Sequence, residues 1–234
     1  MSTPPPPSNQ PSSSSPSTAF SFPPEYSFPP FFTRQTNLTT HHAQLTKWSS
    51  LVLSYCRHHR IFKLSLSGNP ITTTNPTTTS TSSSERDTTE LFFNRTINRR
   101  LSLPDIREVI DFLRRDNRAE YVTTTTTSTS TAAGGADGGT AGGAAAGGGG
   151  GGDIVWIYWR TPEEWAALVE SWVDGTGQRG SVLTVYELVE GDGTVGAEFH
   201  GLDQELLLKA LNVLVKRGKA QVFGQEDSLG VKFF

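Results

Sequence analysis

The chain has 234 residues, 35% of them hydrophobic and 18% charged, with a formal net charge of −3. No apolar run approaches the length of a bilayer span, and the single Cys56 excludes an internal disulfide and suits a reducing compartment. Residues 1–152 hold 13 Lys and Arg against 10 Asp and Glu, whereas residues 153–234 hold 7 against 13, so the second half repels phosphate backbones.

The start, Met1-Ser2-Thr3-Pro4, has neither the basic nor the apolar region of a secretory signal, so secretion is not expected. Residues 1–19 are mostly Pro and Ser, too poor in bulky apolar groups to offset their ordering entropy, and are expected to be disordered. Residues 20–37 differ. The run FSFPPEYSFPPFF over Phe20–Phe32 combines fixed-φ prolines, expected to hold an extended polyproline-like path, with large rings. Such a strip is expected to find no home in its own chain and to need a groove on a partner. Pro23-Pro24-Glu25-Tyr26 also spells the PPxY ligand of WW domains, a four-residue match of low specificity.

Leu45, Trp48, Leu51, Val52 and Tyr55 recur at helical spacing and predict a helix over 38–59, followed by a strand over 61–66. Two low-complexity blocks, about 68–87 and 123–152, read as loop insertions, and 12 of the 23 glycines fall between Gly134 and Gly152. Between them, 90–100 reads as helical. A better-marked helix then starts at the cap Ser102, buries Ile106, Val109, Ile110 and Leu113, and stops at Asn117. Strands over 119–122 and 154–159 close the unit as a hairpin.

The second half repeats that order. Thr161-Pro162-Glu163-Glu164 is a helix start with a capping box, and Trp165, Leu168, Val169 and Trp172 form its apolar face up to Gly175. A strand over 181–183 precedes a second capping box, Thr184 with Glu187, for a short helix to Glu190. Asp203 caps a helix with Leu207, Ala210, Leu211 and Leu214 on its stripe and Gly218 as its stop. Its further apolar residues, Leu206, Leu208, Val213 and Val215, fit a wide buried face or a second interface. Strands over 219–224 and 229–234 follow. At an offset of 101, Ser102 falls on Asp203, the core positions coincide, and Asn117 falls on Gly218. The doubled order of helix, strand, helix, helix and hairpin predicts an α+β fold of two tandem winged-helix domains, 38–160 and 161–234.

Nothing in this inventory assembles a catalytic or metal site. Cys56, His58 and His59 lack a second cysteine or a CxxC pair, and Arg57, His58 and His59 instead suit the carbonyl end of a helix. His200 has no visible partner as a base. The glycines of 147–152 precede a strand and lack the Gly-Lys-Ser/Thr ending of a phosphate loop. No enzyme activity, cofactor or metal is expected. Nucleic-acid binding is the alternative, because the first unit carries Arg95, Arg99, Arg100, Arg107, Arg114, Arg115 and Arg118. Asp105, Glu108, Asp111 and Asp116 interleave with them and oppose it.

Several segments together resemble a known family. They are Tyr26-Ser27-Phe28-Pro29-Pro30-Phe31-Phe32, the Gln44-Leu45…Trp48-Ser49-Ser50-Leu51-Val52-Leu53 helix, Leu91-Phe92, and Trp159-Arg160-Thr161-Pro162-Glu163-Glu164-Trp165. Thr184-Val185-Tyr186-Glu187-Leu188, Glu198-Phe199-His200-Gly201-Leu202-Asp203 and Gly230-Val231-Lys232-Phe233-Phe234 complete the set. The combination resembles the vacuolar protein sorting-associated protein 25 family, the small two-winged-helix subunits of the ESCRT-II complex. The Pro/Ser leader and the two insertions depart from it.

The resemblance implies an adaptor rather than a catalyst. In that family two copies join one copy each of two larger subunits, vacuolar protein sorting-associated proteins 22 and 36, on endosomes. The docking prolines and aromatics map to Pro23, Pro24, Tyr26, Phe28, Pro29, Pro30, Phe31 and Phe32. The second winged helix is implied to recruit an ESCRT-III subunit, vacuolar protein sorting-associated protein 20, in sorting ubiquitinated cargo into multivesicular bodies. Glu198, Phe199, His200 and Asp203 are the candidate contacts. The implied location is cytoplasmic, with recruitment to the endosome membrane through the complex, and an acidic second domain suits a basic partner helix.

Overall fold

The computed structural model describes residues 19–66, 88–122, 153–224 and 229–234. The leader expected over 1–19, Ala19 apart, and both expected insertions lie outside the described residues. Asn37 opens α1 (Leu38–His59) by accepting from the N–H groups of Thr39 and Thr40, and Arg60, in the left-handed region at φ 53°, closes it. The apolar face read from the sequence, from Leu45 to Tyr55, is buried. β1 (Lys63–Ser65) follows.

Residues 90–100 are not one helix. A single turn, α2 (Thr89–Phe92), runs straight into a two-stranded hairpin of β2 (Phe93–Asn94) and β3 (Arg99–Arg100). The reason is local: the Asn94 side chain accepts from the N–H groups of Thr96 and Ile97, and Asn98 takes a left-handed φ of 48°. Asparagine offers the backbone a turn in place of the helical ladder. Ser102 then caps α3 (Leu103–Arg115), and Asn117 supplies the left-handed stop at φ 56°.

β4 (Ala119–Tyr121) and β5 (Ile154–Ile157) form the wing, and the first sheet runs β1-β5-β4, antiparallel throughout. α4 (Pro162–Thr176) has the capping box of Thr161 and Glu164, with Gly177 ending it at φ 68° two residues beyond the expected stop. β6 (Val182–Thr184), α5 (Val185–Glu190) with its own capping box, α6 (Gln204–Lys216), β7 (Ala220–Phe223) and β8 (Gly230–Phe233) complete the copy. The second sheet, β6-β8-β7, repeats the first, and α3 and α6 are offset by 101 residues at both ends. Among the further apolar residues of α6, Leu206 is buried, Leu208 and Val213 pack partly buried on the core, and only Val215 is exposed. The wide buried face is therefore the one realised.

Each unit has a core, and one strand serves both. Alternate residues of a strand point to opposite faces. Val155 and Ile157 of β5 enter the first core, whereas Trp156 and the following Tyr158 enter the second.

Candidate functional site

The segment ahead of α1 does not run as an extended polyproline strip. It makes two single 3-10 turns, Pro24–Ser27 and Pro29–Phe32, each with proline in its first turn. Proline has no N–H to lose there and its φ already suits the turn. The N–H of Tyr26 bonds the carbonyl of Pro23 at 2.9 Å, and that of Phe31 bonds the carbonyl of Phe28 at 2.9 Å.

The expectation that this segment has no place in its own chain is overturned. Tyr26, Phe31 and Phe32 are at most 6% exposed and belong to the first core. Phe22 stacks on Tyr26 at 4.1 Å, and Phe32 meets Trp48 edge-on at 5.3 Å. The Tyr26 hydroxyl donates to the carbonyl of Glu90, and burial first, then the Glu90 charge, pushes its ionisation well above the usual phenol range. With its tyrosine ring sealed in, the Pro23–Tyr26 motif cannot present that ring to a WW domain in this conformation.

Polar residues that the sequence reading left unassigned hold the backbone of the turns. Gln44 Nε2 donates to the carbonyls of Phe31 at 2.8 Å and Thr33 at 2.9 Å, Trp48 Nε1 donates to that of Phe31 at 2.9 Å, and Asn94 Nδ2 donates to that of Tyr26 at 2.7 Å. The available signal was Gln44 itself, a polar residue one turn before Trp48 beside the apolar stripe of α1. What remains outside is a ridge: Phe28 is 59% exposed, and Pro24, Pro29 and Pro30 are exposed beside it, with Pro23 half-buried.

The four residues assigned to the second contact are engaged within the chain, three of them at the joint between the two units and Phe199 in the second core. Glu198 accepts both hydrogen bonds of a bidentate pair with Arg160, at 2.9 and 2.6 Å, and Arg57 lies 3.7 Å away. Hydrogen bonding from Arg160 holds its carboxyl below the usual value, against a smaller effect of burial. Phe199 is 1% exposed in the second core. The carbonyl of His200 accepts from Arg60 at 2.6 Å, and its Nδ1 lies 2.9 Å from the Thr194 hydroxyl. Asp203 caps α6 and pairs with Lys63 at 3.3 Å. Arg118 forms a second bidentate clasp with Glu164, at 2.9 and 3.1 Å. Burial works against ionisation of Glu164, yet Arg118 and the Thr161 N–H keep it below its ordinary value. One pair runs the other way, Lys209 reaching Glu120 at 2.6 Å and the Tyr158 hydroxyl at 2.8 Å. Much of the opposite charge of the two halves is thus spent between them.

Cys56 is fully buried and burial pushes its thiol well above the usual range, so it is not a ready nucleophile. Among the described residues no group of three His, Cys, Asp or Glu side chains is placed to hold a metal ion. Lys209 of α6, the helix that would read nucleic acid in the second unit, is turned inward to Glu120 and Tyr158. In the first unit Arg114 pairs with Asp111 at 3.0 Å and Arg118 with Glu164, which leaves that unit with less free positive charge than its composition implied. No helix among the described residues is long and apolar enough to cross a membrane.

The geometry has counterparts. The sequence model of the family described as ESCRT-II complex subunit matches residues 25–203. A vacuolar protein-sorting-associated protein 25 from Xenopus laevis is 35% identical over 92% of this chain and 99% of its own. One from Dictyostelium discoideum is 41% identical over 92% of this chain and 96% of its own. Among solved structures, the VPS25 subunit of the endosomal trafficking complex ESCRT-II superposes with a TM-score of 0.65 at 25% identity, over 91% of this chain and 98% of that one. A chain of the endosomal complex ESCRT-II (VPS22/VPS25/VPS36) gives 0.66 at 26% identity, over the same 91% and 98%. The chain belongs to the ESCRT-II complex subunit family.

Proposed function

We propose that the chain is a non-catalytic adaptor of ESCRT-II, cytoplasmic and brought to the endosome membrane by its partners. It joins the larger subunits, relatives of vacuolar protein sorting-associated proteins 22 and 36, through the segment ahead of α1 and the first winged helix. The observation that carries this reading is the division of labour in that segment. Tyr26, Phe31 and Phe32 are sunk in the chain's own core, so Pro23, Pro24, Phe28, Pro29 and Pro30 stand as a pre-shaped ridge. Fixing an apolar ridge before binding lowers the ordering cost of association. The solved ESCRT-II complex of VPS22, VPS25 and VPS36 supports the choice of partners.

The second winged helix bridges to an ESCRT-III subunit, a relative of vacuolar protein sorting-associated protein 20, in sorting cargo to multivesicular bodies. Since Glu198, His200 and Asp203 secure the joint and Phe199 is sunk in the second core, the contact is assigned instead to the exposed Tyr186 and Val195 with Glu190 and Asp192 beside them. That pairing of apolar and acidic side chains suits a basic amphipathic helix. The test is native mass measurement of the complex purified from its own source. Two copies of this chain with one of each larger subunit are expected; recovery of the chain alone, or with nucleic acid, would contradict the proposal.

A further inference from the structure

The run Arg99-Arg100-Leu101-Ser102-Leu103 leads from β3 into α3, and Ser102 is the one serine or threonine of the sequence with arginine at both the second and the third position before it. Arg99 and Arg100 are exposed, and among the described residues neither has an ion-pair partner. Arg100 rests over the Phe93 ring, 5.2 Å from its centroid. Ser102 is exposed, and Leu103 after it is 40% exposed, whereas Leu101 is buried. The backbone of Ser102 is extended, at φ −69° and ψ 152°. Its hydroxyl donates to the Asp105 carboxylate and accepts from the Asp105 N–H at 3.3 Å.

Two exposed guanidinium groups ahead of a serine and an apolar side chain after it are the charge pattern by which an acidic kinase cleft selects its substrate. Presenting the serine asks little of the fold. Besides the cap itself, the first turn of α3 is tied to Ser102 by the Ile106 N–H, 2.9 Å from the Ser102 carbonyl, and Pro104 has no N–H to give up. Helix ends open locally at far less cost than the whole domain.

We propose that Ser102 is a phosphorylation site for an arginine-directed serine kinase, and that its phosphate is a brake on docking. In the transfer, Ser102 Oγ attacks the γ-phosphorus of a nucleoside triphosphate held by the kinase. The new O–P bond forms as the bond from that phosphorus to its β,γ-bridging oxygen breaks; the nucleoside diphosphate leaves, and the hydroxyl proton passes to a carboxylate of the kinase. The product carries a charge of about −1.5 to −2 at neutral pH. A hydroxyl that donates to Asp105 is thereby replaced by an anion that repels it, and the positive dipole end of α3 and the two nearby arginines favour the new charge. β3 packs beside the turn Pro29–Phe32, and Arg34, two residues past that turn, lines the same small pocket as Asp105. The phosphate therefore stands at the shoulder of the ridge, where a partner covering Phe28, Pro29 and Pro30 has to strip it of water. The brake rests on the docking reading above; the modification does not.

The experiment treats the full chain with magnesium ATP and, as probe, the catalytic subunit of cyclic-AMP-dependent protein kinase. Beside it run Ser102→Asn, which keeps a capping side chain but takes no phosphate, and the double variant Arg99→Ala, Arg100→Ala. Peptide mapping is expected to place a phosphate on Ser102 of the folded parent. The double variant is expected to lose roughly tenfold or more in kcat/KM, the scale of one hydrogen bond to a charged group. Ser102 left bare in the folded chain, uptake only after denaturation, or an arginine variant that reacts as fast as the parent overturns the site. In calorimetry against the purified larger subunits, the phosphorylated parent is expected to bind roughly tenfold more weakly than the untreated one, the cost of desolvating a charged group left unpaired. Kinase treatment should leave the affinity of Ser102→Asn unchanged. Equal affinity of the two parent forms overturns the brake. If neither form binds while Ser102 is modified as expected, the docking reading fails and the modification site stands.

Discussion

The ring of Phe31 lies on the indole of Trp48, centroids 4.4 Å apart and planes 3° from parallel, and the same indole donates to the carbonyl of Phe31. A residue of the docking segment is thus part of the core of α1. Phe31→Ala should cost about 3 to 5 kcal/mol of stability, the usual range for deleting a buried phenylalanine, whereas Phe28→Ala should stay within about 0.5 kcal/mol. Denaturant unfolding of the two variants checks the contrast, and equal losses would refute the division between anchor and ridge.

Trp156 lies on a strand of the first unit but packs in the second core, with Lys63 Nζ 4.3 Å from its ring centroid. Trp156→Ala should cost about 3 kcal/mol or more. The loss should appear as faster amide exchange in α6 and β8, while Val155 and Ile157 keep the first core protected. Exchange rising only in the first unit would contradict the shared strand.

Asn94 is buried, and removing its side chain leaves the Tyr26 carbonyl and two N–H groups of the β2-β3 turn without their partner. Asn94→Ala should destabilise by about 1 to 3 kcal/mol. Asn94→Asp keeps the acceptor that closes the turn but not the donor to Tyr26, so it should recover only part of the loss in thermal unfolding.

The joint has an acid limit. Glu198 has its carboxyl lowered from an ordinary 4.5 by Arg160. A depressed carboxyl contributes its full stabilisation above the unfolded value and loses it as pH falls through the folded one. The parent should therefore lose stability more steeply than Glu198→Gln between about pH 5 and pH 3, and the two should run parallel above about pH 5. Thermal scans across that range decide it.

Features set by neighbours in sequence were readable in advance. The bounds of α1, the capping boxes at Thr161 and Thr184, the cap at Ser102 and the stop at Asn117 depend on a few adjacent residues. The β2-β3 hairpin was missed because Phe93 and Ile97, four residues apart, allow a helical spacing, while the turn chemistry of Asn94 and Asn98 argued the other way. Composition showed that the rings of the docking segment need burial but not by which chain. That depended on Trp48, Gln44 and Asn94, up to 68 residues distant, converging on one spot. The charge of each half was countable, yet its use was not, since Arg118 with Glu164 and Lys63 with Asp203 meet only in the fold.

The most direct test is titration calorimetry of Phe28→Ala against the purified larger subunits. An aromatic anchor at the centre of an interface costs about 2 kcal/mol or more when truncated, near thirtyfold in affinity. The expected result is that loss with an unfolding midpoint equal to the parent's. Unchanged affinity in a folded Phe28→Ala chain would show that the ridge is not where the partners bind.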